Sequence, residues 1–242
     1  MAMPDKCSVW IGFDPRETTA FCVARESAKF AFGPTQHPVR GIVLSQMRDR
    51  GLYWRPTVTK DGQMWDVISD APMSTEFSIS RFLTPHLAGS GWALFMDCDM
   101  MVRGRLRELF KLADPSKAVM CVQHEHVPDN RVKMDNQIQT RYPRKNWSSV
   151  VLYNCDHPAN SRLTLEMINS VPGRDLHRFC WLNDKDIGAL PHEWNYLVGH
   201  TNLPRGSQPK IVHWTDGIPS MPGYEDAEYS SEYFGWLRRW AA

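Results

Sequence analysis

Two aspartates one residue apart, Asp97 and Asp99, interrupt an otherwise apolar run that extends from Trp92 to Val102. The run is bounded upstream by Gly89-Ser90-Gly91 and reads as a strand buried on both faces. Carboxylates in such a place are costly, because each loses its hydration and two close together repel. A divalent cation at the strand end relieves both penalties. In extended chain, residues i and i+2 point to one side, so both aspartates can approach a single ion, directly or through water. Hard carboxylate oxygens suit Mg2+ or Mn2+, ions that substrate phosphates commonly complete. The chemistry would then be that of a metal–diphosphate site; the alternative is a solvated strand-end turn. An Asp-x-Asp triplet by itself does not decide between them, since 17 aspartates in 242 residues produce about one such match by chance. A second triplet, Asp184-Lys185-Asp186, follows Trp181-Leu182-Asn183 and has no long strand-like run ahead of it.

The elements that must position these residues read as an α/β chain. Cys7 to Phe13 is a first strand, stopped at Asp14-Pro15. Glu17 to Phe32 is helical, with Phe21, Ala24, Ala28 and Ala31 on one face and Gly33-Pro34 closing it. Val39 to Leu44 is a second strand, and strand–helix–strand implies a right-handed crossover in a parallel sheet. Ligands in such sheets bind beyond the carboxyl ends of strands, where Asp14 and Asp97 would both lie. Ser74 to Leu83 precedes the key strand as a helix with a partial cap at Ser74 and an apolar face that excludes Arg81. That arginine reads as a solvated charge, or as a forked phosphate donor if a diphosphate is near. Later segments predict a helix over Leu106–Leu112, strands over Ala118–Val122 and Ser148–Asn154, a helix over Leu163–Ile168 and a last strand over Lys210–Trp214. Gln123 to Arg144, with His124 and His126, reads as a loop facing substrate rather than a zinc site. A C-terminal helix would align Tyr233, Trp236, Leu237 and Trp240, a stripe expected to dock on its own domain, although the adjacent Arg238 and Arg239 suit an interfacial role too.

Composition narrows the function classes. A chain of 242 residues with 42% hydrophobic and 23% charged residues suits one α/β domain. A formal charge of +1 gives no reason to expect nucleic acid as a partner. No apolar stretch reaches the ~18 residues of a membrane span, and the first residues lack the regions of a signal peptide. The six cysteines include no CxxC pair and read as small buried hydrophobes in a reducing cytosol. GxGxxG and GxxxxGK[ST] are both missing, which argues against dinucleotide-binding and P-loop chemistry.

In order and spacing, several segments resemble a GT-A glycosyltransferase. They are the aspartate-ended first strand, the Arg81 helix, Leu94-Phe95-Met96-Asp97-Cys98-Asp99, Trp181-Leu182-Asn183-Asp184-Lys185-Asp186 and Val212-His213-Trp214-Thr215-Asp216-Gly217. The chain is similar to glycosyltransferase family 8, the group of glycogenin and bacterial lipopolysaccharide galactosyltransferases. Phe13-Asp14-Pro15-Arg16-Glu17, Lys145-Asn146-Trp147-Ser148-Ser149 and Leu190-Pro191-His192-Glu193-Trp194-Asn195 look closer still to an uncharacterised bacterial branch. The resemblance spans nearly the whole chain. It implies a single Rossmann-like GT-A domain over 1–242, with a nucleotide-sugar-binding half to about residue 103 and an acceptor-side half with the C-terminal segment from 104. It implies Mn2+ (or Mg2+) held by Asp97, Asp99 and His213, and nucleotide or donor contacts from Asp14, Arg81 and Asp97. Asp184 is expected beside the donor sugar, with Asp186 a second catalytic candidate. Two departures stand out: Lys185 replaces a donor-facing glutamine, and the late phosphate-binding lysine is missing, with Lys210 or Arg205 as its expected substitutes. The implied reaction moves a sugar, with retention, from a nucleoside-diphosphate donor (UDP-linked by expectation) to a saccharide, lipid-linked or protein acceptor. The implied place is the cytoplasm, with peripheral contact at the inner membrane face. A metal-dependent nucleotidyltransferase or phosphohydrolase, or a nucleotide-sugar-binding protein without turnover, would use the same aspartates. For an inverting reaction, Asp186 or Glu193 would be the base.

Overall fold

The computed structural model describes residues 2–34, 36–124 and 147–241. Most of the loop expected over Gln123–Arg144, including His126, and the Lys145-Asn146 pair lie outside the described residues. Strand β1 (Cys7–Gly12) is buried along its whole length, as a run with Ser8 as its single polar residue requires, and that hydroxyl accepts the Trp10 Nε1–H. Helix α1 (Thr18–Phe32) buries Ala20, Phe21, Ala24 and Ala28 and ends on Gly33, whose φ of 73° is open to glycine without strain. Strand β2 (Val39–Ile42) returns parallel to β1, Val9 opposite Val39. It is shorter than expected, because Leu44 turns inward to open α2 (Leu44–Asp49).

Strands β3 (Thr57–Lys60), β4 (Gln63–Asp66) and β5 (Ala71–Pro72) form a small antiparallel sheet that the hydrophobic pattern did not announce. Its anchor is an internal ion pair. Arg55, with 0% exposure, donates to both oxygens of Asp66 and to the carbonyls of Ile168 and Val171. Burial would raise the Asp66 pKa, but hydrogen bonds from Arg55 and Ser69 overcome it and hold the carboxyl below its ordinary value.

The helix expected from Ser74 is three short pieces: α3 (Phe77–Ser80), a 3-10 turn at Arg81–Leu83, and α4 (Thr84–Ala88). Ser74 does not cap it. The Ser78 hydroxyl instead accepts the Thr75 N–H. The key run likewise divides, into β6 (Trp92–Met96) and β7 (Met100–Val102). Next come α5 (Leu106–Phe110), β8 (Val119–Cys121), β9 (Val150–Asn154), α6 (Leu165–Ser170) and α7 (Gly173–His177). The chain finishes with β10 (Ile187–Ala189), β11 (Tyr196–Leu197), β12 (Ile211–His213) and α8 (Ser230–Ala241).

The main sheet has the order β10-β8-β9-β6-β1-β2, and within it β9 alone runs against the other strands. Strands from both sides of residue 103 share it, so the protein is a single mixed α/β domain with a mostly parallel central sheet, as the sequence implied. Strands β11, β12 and β7 form a separate sheet. On α8, Tyr233, Phe234, Trp236 and Leu237 pack against a second apolar cluster around Val212 and Trp214, while Trp240 stays 44% exposed. Among the described residues, no helix is long and apolar enough to cross a membrane.

Candidate metal centre

The chain changes sheets at residues 97–99. β6 belongs to the six-stranded sheet and β7 to the three-stranded one, so the Asp97-Cys98-Asp99 turn sits at the carboxyl end of β6 where the two diverge. Three contacts pin it. The Asp97 N–H donates to the Ser149 carbonyl at 3.0 Å, the Trp214 N–H donates to the Asp99 carbonyl at 3.0 Å, and the Cys98 thiol donates to Glu17 Oε2 at 3.0 Å. β12 pairs antiparallel with β7, His213 opposite Met100, which carries the imidazole to Asp99. His213 Nε2 stands 3.3 Å from Asp99 Oδ1. The side chains of Asp97, Asp99 and His213 thereby place three ligand atoms within 4.8 Å of one another.

Arg81 completes the cluster. It is 7% exposed, its guanidinium stands over the adjacent Phe77 and Phe95 rings at 5.3 and 5.1 Å, and Nη1 stands 2.8 Å from Asp97 Oδ1. The solvated alternative for this arginine is therefore excluded. The tightening of the helix into a 3-10 turn at residue 81 accompanies this inward course.

The residues fit a divalent cation. Asp97 Oδ1 and Asp99 Oδ1 are buried and, among the described residues, accept no well-aligned hydrogen bond, although Arg81 and His213 approach them as charges. Such orphaned acceptors are costly. Burial pushes the Asp97 carboxyl up, against the pull of Arg81, and neighbouring Asp99 pushes it further. Glu17 is raised by burial as well, with Asp99 and Asp14 adding to it. Carboxylates thus crowd one another here, and two oxygens with one imidazole nitrogen make a donor set suited to Mn2+ or Mg2+.

Behind His213 lies a supporting network. His213 Nδ1 is 3.0 Å from Asn195 Oδ1, and Asn195 Nδ2 donates to Ser149 Oγ at 2.9 Å. With its amide nitrogen so used, Asn195 offers oxygen to the ring, which assigns the proton to Nδ1 and leaves Nε2 a lone pair facing the aspartates. Burial opposes protonation of this imidazole, but Asp99 and Asp97 raise its pKa above the ordinary value. Asn195→Ala is expected to weaken Mn2+ binding by ~10–100-fold, the usual cost of losing an outer-shell partner. Calorimetric titration with the ion checks this, and unchanged affinity would remove His213 from the ligand set.

The other expected site residues divide. Asp14, fully buried at the end of β1, accepts hydrogen bonds from the Arg16 N–H, Nε and Nη2 and from the Glu76 N–H. Burial would raise its pKa; the bonds from Arg16 and Glu76 lower it instead. It ties β1 to the start of α3, a contact made close by Gly12, where a Cβ would meet the Phe77 ring at 2.3 Å.

Asp184, expected beside the donor sugar, and Asp186, the second catalytic candidate, are not brought to the cluster of Asp97, Asp99 and His213. They precede β10 and so lie at the amino end of a strand whose direction matches β6. The Asp186 carbonyl accepts the Ala118 N–H and the Ala118 carbonyl accepts the Asn154 N–H, with Asn154 opposite Trp92. This is the far end of β6 from Asp97, roughly 16 Å away along the strand direction alone. Asp186 there closes a capping box with Asn183, and Asp184 is exposed. Lys210 is not brought to the cluster either. It enters β12 at the end away from His213, pairs with Glu108 at 3.3 Å and lines a cavity of about 920 Å3 shared with Glu193.

Sequence reasoning missed Glu17 and Asn195 as members of the site and gave His192 no role. The ring of His124 lies 5.7 Å from that of His192, and burial together with His192 and His213 lowers its pKa to about 4. All three sit in segments singled out for other reasons, yet spacing alone could not tell Asn195 from Glu193 two residues earlier.

No protein-family model matches the chain. By sequence it is 44% identical over 227 residues to Protein CDI of Arabidopsis thaliana, covering 92% of this chain and 82% of that protein. Among solved structures, the galactosyltransferase LgtC with donor and acceptor sugar analogues superposes with a TM-score of 0.60 at 14% identity, over 96% of this chain and 95% of LgtC. The glycosyltransferase GlyE of Streptococcus pneumoniae TIGR4 gives 0.58 at 14% identity; this chain covers 63% of GlyE, just under two thirds. Mouse xyloside xylosyltransferase 1 gives 0.52 at 13% identity, over 88% of this chain and 98% of the mouse chain. At such identities the likeness is one of fold, that of the GT-A glycosyltransferases.

Proposed function

The chain belongs to the family of Arabidopsis Protein CDI, and from that premise we propose that it is a metal-dependent glycosyltransferase using a nucleoside-diphosphate sugar. The observation that carries this reading is the convergence of Asp97, Asp99 and His213 at the carboxyl end of β6, with two buried carboxylate oxygens lacking hydrogen bonds. The glycosyltransferase folds it resembles support the reading, and the family 8 assignment and a UDP-linked donor belong to it. Asp97, Asp99 and His213 would hold Mn2+ or Mg2+. When bound, such an ion supplies Lewis-acid stabilisation of the negative charge that develops on the departing diphosphate. Arg81 holds Asp97 in place and keeps its charge compensated, and Asn195 orients His213. The buried setting strengthens these contacts by limiting water. Retention of configuration is part of the proposal, since Asp186 and Glu193, the bases considered for inversion, do not stand at the cluster.

That same absence favours a second reading, a nucleotide-sugar-binding protein without turnover. One experiment separates the readings. Nucleotide sugars are screened by thermal shift with and without Mn2+, followed by assay of nucleoside diphosphate release with saccharide acceptors. At a hundredfold excess over Kd, binding adds about 2.7 kcal/mol, or roughly 5–10 °C for a chain of this size. A cation-dependent shift with one donor is expected, and release of the diphosphate establishes transfer when the acceptor gains the sugar. A shift without release would assign the binding role, and no shift with any donor would overturn both readings.

A further inference from the structure

A second site of opposite charge lies at the free edge of the main sheet. There α1, β2 and α2 surround a cavity of about 360 Å3. Its walls carry Arg25 and Lys29 from α1, Arg40 from β2 and Arg50 from the end of α2, and none of its lining residues is acidic. Its floor is kept low by Gly41, where a Cβ would meet the Phe21 ring at 2.8 Å. Glu26, next to Arg25 on α1, serves two of the four cations: Arg25 Nε lies 2.9 Å and Lys29 Nζ 3.0 Å from its Oε1. Arg40 rests over the Trp10 ring at 5.7 Å, and neither Arg40 nor Arg50 forms an ion pair among the described residues. Four cations from three separate elements therefore face one space with one carboxylate beside it.

Each charge has a lesser explanation alone. An arginine on an edge strand discourages pairing with another sheet, and α1 needs a solvated face. Those needs do not account for Arg50 reaching the same space from a third element, nor for the lack of a carboxylate in the lining. The volume falls in the range of small-ligand pockets, and two guanidinium forks suit the oxygens of a phosphate. The cavity is separate from the metal centre, because Val39–Gly41 pair with Val9–Ile11 within β1 rather than at its carboxyl end. We propose that this cavity is a second, phosphate-binding site formed by Arg25, Lys29, Arg40 and Arg50. The phosphate belongs either to a free anion or to a lipid headgroup.

The test uses the full chain in the presence of EDTA, so that the acidic cluster holds no cation and repels phosphate. Inorganic phosphate and pyrophosphate are titrated calorimetrically into wild type, Arg40→Gln/Arg50→Gln and Asp99→Asn. Flotation with phosphatidylcholine vesicles, with and without phosphatidic acid, runs in parallel. Saturable binding by wild type and Asp99→Asn is expected, weakened about tenfold or more in the double variant as two forked contacts are lost and weakened by added salt. Both substituted arginines are exposed, so an unchanged melting temperature without phosphate verifies the fold of the double variant. Binding of the soluble anions identifies a free-anion site; flotation only with phosphatidic acid, lost in the double variant, identifies a headgroup site. Equal affinity in wild type and the double variant, or no binding of either probe, overturns the proposal.

Discussion

Asp99→Asn is expected to abolish metal-dependent donor binding and turnover while making the cation-free protein more stable than wild type. Asp99 supplies a ligand oxygen, and its replacement should cost more than the ~10–100-fold typical of outer-shell changes. The stability gain has the opposite sign because the same charge is a burden when no cation is present. Asp99 Oδ1 is buried without a hydrogen bond, and Asp97 and Glu17 crowd it. A neutral amide of nearly equal shape removes that repulsion and keeps the turn, whose pinning bond to Trp214 uses the Asp99 backbone carbonyl. Natural sites carry such stability costs for function. Thermal denaturation with EDTA and with Mn2+ measures both effects. Wild type should gain stability from the ion and the variant should not; a full Mn2+ shift in Asp99→Asn would remove this residue from the metal centre.

Arg81→Met is expected to give the largest loss of stability in the site. Arg81 and Asp97 are 8% and 15% exposed at the side chain, and removing one partner of a buried pair leaves the other charge uncompensated, at a cost of about 3–5 kcal/mol. The guanidinium also packs over the Phe77 and Phe95 rings and donates to the Ser148 carbonyl at 3.0 Å, so some loss comes from packing and from that carbonyl. A double-variant cycle separates the contributions. Arg81→Met/Asp97→Asn should recover part of the loss, because the stranded charge is gone. Mn2+ should rescue the single variant more than it stabilises wild type, since with Arg81 gone the ion adds to the countercharge that His213 alone then gives Asp97. A double variant no more stable than Arg81→Met would mean that the arginine acts through packing rather than charge.

Much of the architecture was legible because burial on two faces leaves an unmistakable run. β6 is a stretch of consecutive apolar residues, β1 and β9 are nearly so apart from Ser8 and the terminal Asn154, and α1 shows its inward face at helical spacing. The small sheet from Thr57 to Pro72 was not legible, since its strands are short and mostly half-buried and its stability rests on the buried Arg55–Asp66 pair rather than on alternation. The second sheet was hidden for a related reason: the run from Trp92 to Val102 looks continuous, and nothing local announces that it changes partners at Asp97.

The candidate site divides along the same line. Local sequence determined that Asp97 and Asp99 are an energetic anomaly, because carboxylates within an apolar run need a compensating charge wherever the chain folds. Only tertiary structure decided which charges compensate them. His213 arrives through antiparallel pairing of β12 with β7, Arg81 through a tightened turn, and Asn195 from a segment whose neighbour Glu193 faces elsewhere. Tertiary structure also decided between the two Asp-x-Asp triplets. They are alike in composition, yet one follows the carboxyl end of its strand and the other precedes the amino end of its own, and strand direction is a property of the sheet that no local spacing encodes.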